Sequence, residues 1–197
     1  MSGYGKYVAG GVAVVAVLWG VGTANGLVRK DESVKQSYAQ VQNVLQRQAE
    51  LIPNMVETVK AYAQFEGQTF KDVTEARAKA GGVINIDPAK IANDPALQKQ
   101  FMEAQQSMAS SLSRLMMVNE KYPELKANQG FQDLRTELAG SINRVTVERR
   151  KNQMIVQEYN QSVRLFPGVI VASVLGYTQK PYFEAAADAQ TQPKVKF

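Results

Sequence analysis

The order of apolar and polar residues divides the chain into two regimes. From Tyr7 to Val28 no residue is charged. As a helix, this run of about 22 residues rises about 33 Å, enough to cross a hydrocarbon layer of about 30 Å. Lys6 with Tyr4 and Tyr7 flank it on one side, Arg29 and Lys30 on the other, and Trp19 lies within it, a distribution that suits a membrane anchor. The expectation is a single transmembrane helix marked by Tyr7, Val14, Trp19, Gly20 and Val28. Gly22, Thr23 and Ala24 also carry the small-residue spacing of a cleaved secretory signal, although a signal core is only about 7–15 residues long. Ala16, Gly20 and Ala24 fall on one face, and Gly22 with Gly26 makes a GxxxG. Such faces either admit close helix approach or simply meet lipid.

Beyond the run the apolar residues switch to alternating three and four spacings. Val34, Tyr38, Val41, Leu45, Ile52, Met55, Val59, Tyr62, Val73 and Ala76 form the first stripe, which predicts one long helix, or two joined at Pro53, reaching about Ala80. Pro53 is expected to kink or restart it, because proline lacks the donor for the helical ladder. Gly81, Gly82, Asp87 and Pro88 mark a break, and Asp94 with Pro95 reads as an N-cap and first helical residue. A second stripe runs through Leu97, Phe101, Ala104, Met108, Leu112, Leu115, Val118 and Tyr122, ending at Pro123 and the polar turn from Ala127 to Gly130. The third passes Phe131, Leu134, Leu138, Ile142, Val145, Val156, Tyr159, Val163 and Phe166 and stops at Pro167. Arg149 and Asn152 occupy its seam, so a buried polar network or an exposed interface is expected there. With no β-alternation or hairpin signal, the fold class is all-α: an N-terminal transmembrane helix followed by an elongated antiparallel bundle of three to four long helices.

After the third stripe, LFPGVIVASVLGY from Leu165 to Tyr177 is uncharged but shorter than the roughly 20 residues a span requires. Phe166, Pro167, Val169, Ile170, Val174, Leu175 and Tyr177 must therefore pack on the bundle, enter a subunit interface or touch the membrane surface. The resulting division is an anchor over residues 1–30, a bundle over 31–167, an apolar segment over 168–184 and a loose, Ala/Gln/Lys-rich tail over 185–197.

Composition narrows the chemistry. Neither cysteine nor histidine is present, which removes disulfides, thiolate nucleophiles, imidazole bases and most transition-metal sites. The net charge of +5 is modest, and basic residues interleave with acids rather than forming a nucleic-acid groove. The nearest acidic pairings, Asp31 with Glu32 and Asp72 with Glu75, each lie beside a basic residue and read as surface charge. Gly10–Gly11 and Gly81–Gly82 lack the residues that would make a phosphate loop. No enzyme, cofactor, metal site or nucleic-acid partner is expected. Lys6 with the free amine against Arg29, Lys30 and Lys35 leans toward a cytoplasmic bundle without fixing the side.

LIPNMVETVKAYAQFEGQTFKDVTEARAKA at residues 51–80 resembles the signature of the LemA family of bacterial membrane proteins. EKYPELKANQGFQDLRTELAGSINRV (120–145), ERRKNQMIVQEYNQSVRLFP (148–167) and GYTQKPYFE (176–184) extend the resemblance over nearly the whole chain. It implies that Asn54, Glu57, Glu66, Arg77, Asn128, Asn143, Arg144, Arg149, Asn152, Tyr159 and Asn160 are the family's recurrent polar positions. Two departures stand out: Ile142 replaces a usual glutamate and Lys151 a usual tyrosine. The resemblance implies a helical bundle on a single-pass anchor in a bacterial plasma membrane and no defined activity. The reading that follows is a scaffold or adaptor whose partners are membrane lipid, further copies of itself and other membrane proteins. The alternative is a lipid-binding or membrane-remodelling protein acting through its basic surface and apolar C-terminal segment.

Overall fold

One helix joins the two regimes. In the computed structural model, which describes residues 2–62 and 67–182, α1 runs from Ser2 to Lys60 without a break. It is long and apolar enough to cross a membrane, with Tyr4 to Trp19 exposed and Gly20, Thr23, Ala24 and Gly26 half-exposed. From Leu27 onward the same helix buries one face: Leu27, Val34, Tyr38, Val41, Leu45, Ile52, Met55 and Val59 all lie in the core. The three-four spacing keeps these residues on one side, which is why α1 becomes a bundle helix there.

α2 (Gly67–Ile84), α4 (Pro95–Met117) and α6 (Gln129–Arg164) complete the bundle, with short α3 (Pro88–Asn93) and α5 (Pro123–Ala127), a 3-10 turn at Val118–Glu120, and α7 (Gly168–Leu175). The chain climbs α1, descends α2, turns at the base through α3, climbs α4, turns through α5 and descends α6. Cross-links between helices fix these directions. Gln42 donates to the carbonyls of Val83 and Ile86 at 3.2 and 2.7 Å. Arg114 pairs with Asp72 at 3.1 Å, and Asn128 donates to the Tyr62 hydroxyl at 3.0 Å at the far end. α6 packs most heavily on α1, and α4 on α2, leaving the α4–α6 side the least closed.

Several boundaries differ from expectation. Pro53 neither ends nor restarts α1; Ile52 and Met55 on either side of it are buried, and that burial offsets the missing backbone bond. The first stripe instead divides between Lys60 and Gly67. Gly81 and Gly82 do not end α2, which continues to Ile84 and buries Val83; Asp87 then caps α3 through the Ala89 amide at 2.8 Å. Asp94 caps α4, accepting from Ala96 at 2.8 Å. α4 stops at Met117, before Tyr122, and Asn128 caps α6 by accepting from Phe131 at 2.9 Å. α6 ends at Arg164, ahead of Phe166 and Pro167.

The uncharged Leu165–Tyr177 segment folds into α7 and packs its inner face on α1 and α6. Gly168 is required at the corner, because a Cβ there would lie 1.9 Å from the Ser162 carbonyl oxygen. Gly176 ends α7 in the left-handed conformation, at φ 75°, which favours glycine. The tail expected over 185–197 lies outside the described residues.

Candidate functional site

The polar residues of the base come from every part of the chain. Asp31 follows the uncharged run by three residues and continues the three-four series between Leu27 and Val34, so α1 turns it toward the bundle. Lys35, one turn on, reaches its Oδ2 at 2.9 Å. Lys180, from the segment after α7, places Nζ 2.7 Å from Asp31 Oδ1. The same ammonium donates to Asn93 Oδ1 at 2.7 Å and lies 4.9 Å from the centre of the Tyr159 ring. The Lys180 side chain is only 4% exposed and that of Asp31 13%, so this is a buried ion pair and not the surface charge expected of Asp31.

The backbone around Lys180 is held equally closely. Asn160 accepts from the Lys180 N–H and donates to the Lys180 carbonyl, both at 2.8 Å, imitating a second peptide group. Tyr159 donates its hydroxyl to the Thr178 carbonyl at 3.0 Å. Gln98 donates to the Pro181 carbonyl at 3.2 Å and to the Tyr38 hydroxyl. One level up, Asn152 donates to Ser37 Oγ at 2.7 Å, and Ser37 donates to the Val34 carbonyl at 2.7 Å. Residues 176–182 therefore form a strap that ties α6, α4 and α3 to α1 just beyond its apolar half.

Burial and charge act on Asp31, Lys35, Tyr38 and Tyr159 in this cluster. Burial opposes ionisation of Asp31, but hydrogen bonds from Lys180 and Lys35 and the charges of both outweigh it and hold the carboxyl below its ordinary value. Its partnership with Asp31 raises the Lys35 ammonium. Burial pushes Tyr38 up to about 12 against the pull of the Gln98 hydrogen bond. Burial, with the nearby Asp31 charge, takes Tyr159 to about 12 as well. Both tyrosines stay neutral donors or acceptors near pH 7. Among the described residues no three histidine, cysteine, aspartate or glutamate side chains gather where they could hold a metal ion.

The remaining residues singled out in the sequence are scattered. Asn54, Glu57, Arg77, Asn143 and Arg144 are exposed along the bundle, Asn128 caps α6 at the far end, and Glu66 lies outside the described residues. Arg149 is half-buried, and burial lowers its guanidinium from the ordinary value. It lines a crevice of about 240 Å³ between α4 and α6 with Gln48, Gln105, Gln106, Thr146 and Ile142, where the buried Gln105 amide has no hydrogen-bond partner. Lys151 pairs with Glu148 at 2.7 Å on the surface. Tyr7, Val14, Trp19 and Val28 are exposed and Gly20 half-exposed on α1, while Phe166, Val169, Ile170, Val174 and Leu175 are exposed around α7, with Pro167 and Tyr177 half-buried. The structure thus unites Asn152, Tyr159 and Asn160 and adds Asp31, Ser37, Asn93, Gln98 and Lys180. Asp31 had a legible signal, a carboxylate at a stripe position; Lys180 had none beyond its place in GYTQKPYFE.

The model of the LemA family matches residues 37–197, a stretch that contains Asn152, Tyr159, Asn160 and Lys180. This chain belongs to the LemA family. A LemA protein of Metamycoplasma hominis is 24% identical over 166 residues, covering 84% of this chain and 71% of that protein. The magnetosome protein MamQ of Magnetospirillum gryphiswaldense is 22% identical over 173 residues, covering 81% of this chain and 64% of its own. Magnetosome protein MamQ 2 of Paramagnetospirillum magneticum is 22% identical over 174 residues, with the same coverage. This LemA-family chain thus spans somewhat less than two thirds of the MamQ proteins' length. The family and the long exposed apolar helix make it a membrane-associated helical protein.

Proposed function

We propose that this protein is a non-enzymatic scaffold in a bacterial plasma membrane, crossing it once through Tyr7–Val28 and binding further copies of itself, or other membrane proteins, through the bundle. The observation that carries this reading is the continuity of α1, which leads from a largely exposed apolar stretch into a packed core without a loop. A helix without a hinge fixes where the bundle stands relative to the bilayer, as a scaffold requires. The strap reinforces that junction with a buried ion pair and backbone hydrogen bonds. Self-association is supported by Gly20, Gly22 and Gly26, where an added Cβ would meet nothing within 4 Å, so their faces are open to a second helix. The absence of histidine and cysteine favours a binding role over catalysis.

Light scattering of the detergent-extracted full chain tests the scaffold reading. The expected mass is a defined multiple of the 21.7 kDa chain after subtraction of detergent. A monomer at every concentration would contradict self-association. The exposed apolar face of α7 favours a second reading, binding of the bundle to lipid surfaces. In that case the bundle lacking the first 28 residues sediments with anionic liposomes, and failure to do so removes it.

A further inference from the structure

The corner between α6 and α7 carries apolar side chains that the bundle leaves uncovered: Leu165, Phe166, Ile170, Val174 and Leu175 are all exposed. Gly168 and Ala172, on the side of α7 turned away from Ile170 and Val174, are buried. Because Gly168 sits directly against the Ser162 carbonyl, α7 cannot roll to hide its outer face without parting from α6. Five large apolar groups on one small surface are costly in water.

The position of the corner identifies what covers it. The Phe166 ring packs on Trp19 with centroids 5.3 Å apart, and Trp19 lies nine residues inside the end of the uncharged run at Val28, about 13 Å along the helix axis. Side chains in contact share a depth. The medium that surrounds Val15 and Leu18, exposed on the same stretch of α1, therefore reaches Phe166 and its neighbours. We infer that the α6–α7 corner is a second, non-spanning membrane element, with Phe166, Ile170, Val174 and Leu175 against the acyl chains of the leaflet nearer the bundle.

The polar surroundings agree. Lys30 lines the crevice between α1 and the corner together with Glu158, where its long basic side chain reaches lipid headgroups. An eight-residue helix is about 12 Å long and cannot cross the bilayer, so α7 stays in one leaflet. The inference rests on the proposed span through Tyr7–Val28. It adds a second attachment point that sets the bundle's depth.

The chain has no cysteine, so single-cysteine variants of the full protein can be labelled cleanly. Val14, Ile170 and Met117 have nearly equal exposure, 59, 57 and 55%, but are assigned to span, corner and far end. Val14→Cys, Ile170→Cys and Met117→Cys carrying an NBD fluorophore are reconstituted in phosphatidylcholine–phosphatidylglycerol vesicles and quenched with doxyl-labelled phospholipid. The expected result is quenching at 14 and 170 at least threefold above that at 117. Quenching at 14 with only the Met117 level at 170 overturns the corner insertion and leaves the span standing. Absence of quenching at both 14 and 170 overturns the span reading and the insertion together.

Discussion

At the far end of the bundle Asn54 and Glu57 face solvent, and Asn128 uses its side chain to cap α6 and to reach Tyr62. At the base, Asn152 and Asn160 are buried and bonded across the fold, Asn152 to a residue 115 positions away. The same residue types thus stay exposed at one pole, even where Asn128 crosses to Tyr62, and are buried in closing the fold at the other. A polar side chain in solvent can be replaced at little cost, whereas removing one partner from a buried network leaves the other desolvated and unpaired. The base, where α1 leaves its apolar half, is therefore the pole most sensitive to substitution.

The largest effect is expected from Asp31→Asn. It leaves the Lys180 ammonium buried without its counter-charge, and loss of one member of a buried pair costs about 3 kcal/mol. Urea unfolding of the detergent-solubilised protein followed by circular dichroism measures this, and a loss below 1 kcal/mol would place the pair effectively in solvent. Asn160→Ala removes both backbone bonds to Lys180 and is expected to cost about 2 kcal/mol. It should also accelerate hydrogen exchange at the Lys180 amide while leaving the core of α2 protected.

Acid offers a third way to separate the two poles. The Asp31 carboxyl is held below its ordinary value in the folded protein, so the unfolded chain takes up its proton first as pH falls. Its contribution is complete above the unfolded carboxylate range and is lost as pH drops from about 4 through the folded value. The stability difference between the native protein and Asp31→Asn should therefore narrow below pH 4, and a constant difference would mean that the carboxylate charge is not what stabilises the base. The smallest effects belong to the far end: Asn54→Ala and Glu57→Ala are each expected to change stability by no more than about 0.5 kcal/mol. A larger loss at either of them would show that the far end is also a closed network.

The helical architecture could be read from periodicity because each stripe is a local pattern and burial follows it directly. Val34, Tyr38, Val41 and Leu45 form a stripe in the sequence and a buried face in α1. Helix ends were less legible. Pro53 is a helix breaker by local chemistry, but the packing of Ile52 and Met55 overrules it, and packing is not a local property. The polar seam at Arg149 and Asn152 left a buried network and an exposed interface both open, and Lys180 and Asn93 could not be assigned to either, since their meeting with Asp31 depends on where α3 and the strap cross α1. Asp31 itself was open to reading as surface charge because a basic neighbour at helical spacing accounts for it equally well; only its place between Leu27 and Val34 marked it as facing inward.

The 2.7 Å contact between Asp31 and Lys180 is expected to couple the strap energetically to α1. A double-mutant cycle on the full-length protein tests it most directly, comparing Asp31→Asn, Lys180→Met and the double variant by urea unfolding in the same detergent. The predicted coupling energy is about 2 kcal/mol, with the double variant more stable than the sum of the single losses implies. Losses that add to within about 0.5 kcal/mol would contradict the claim.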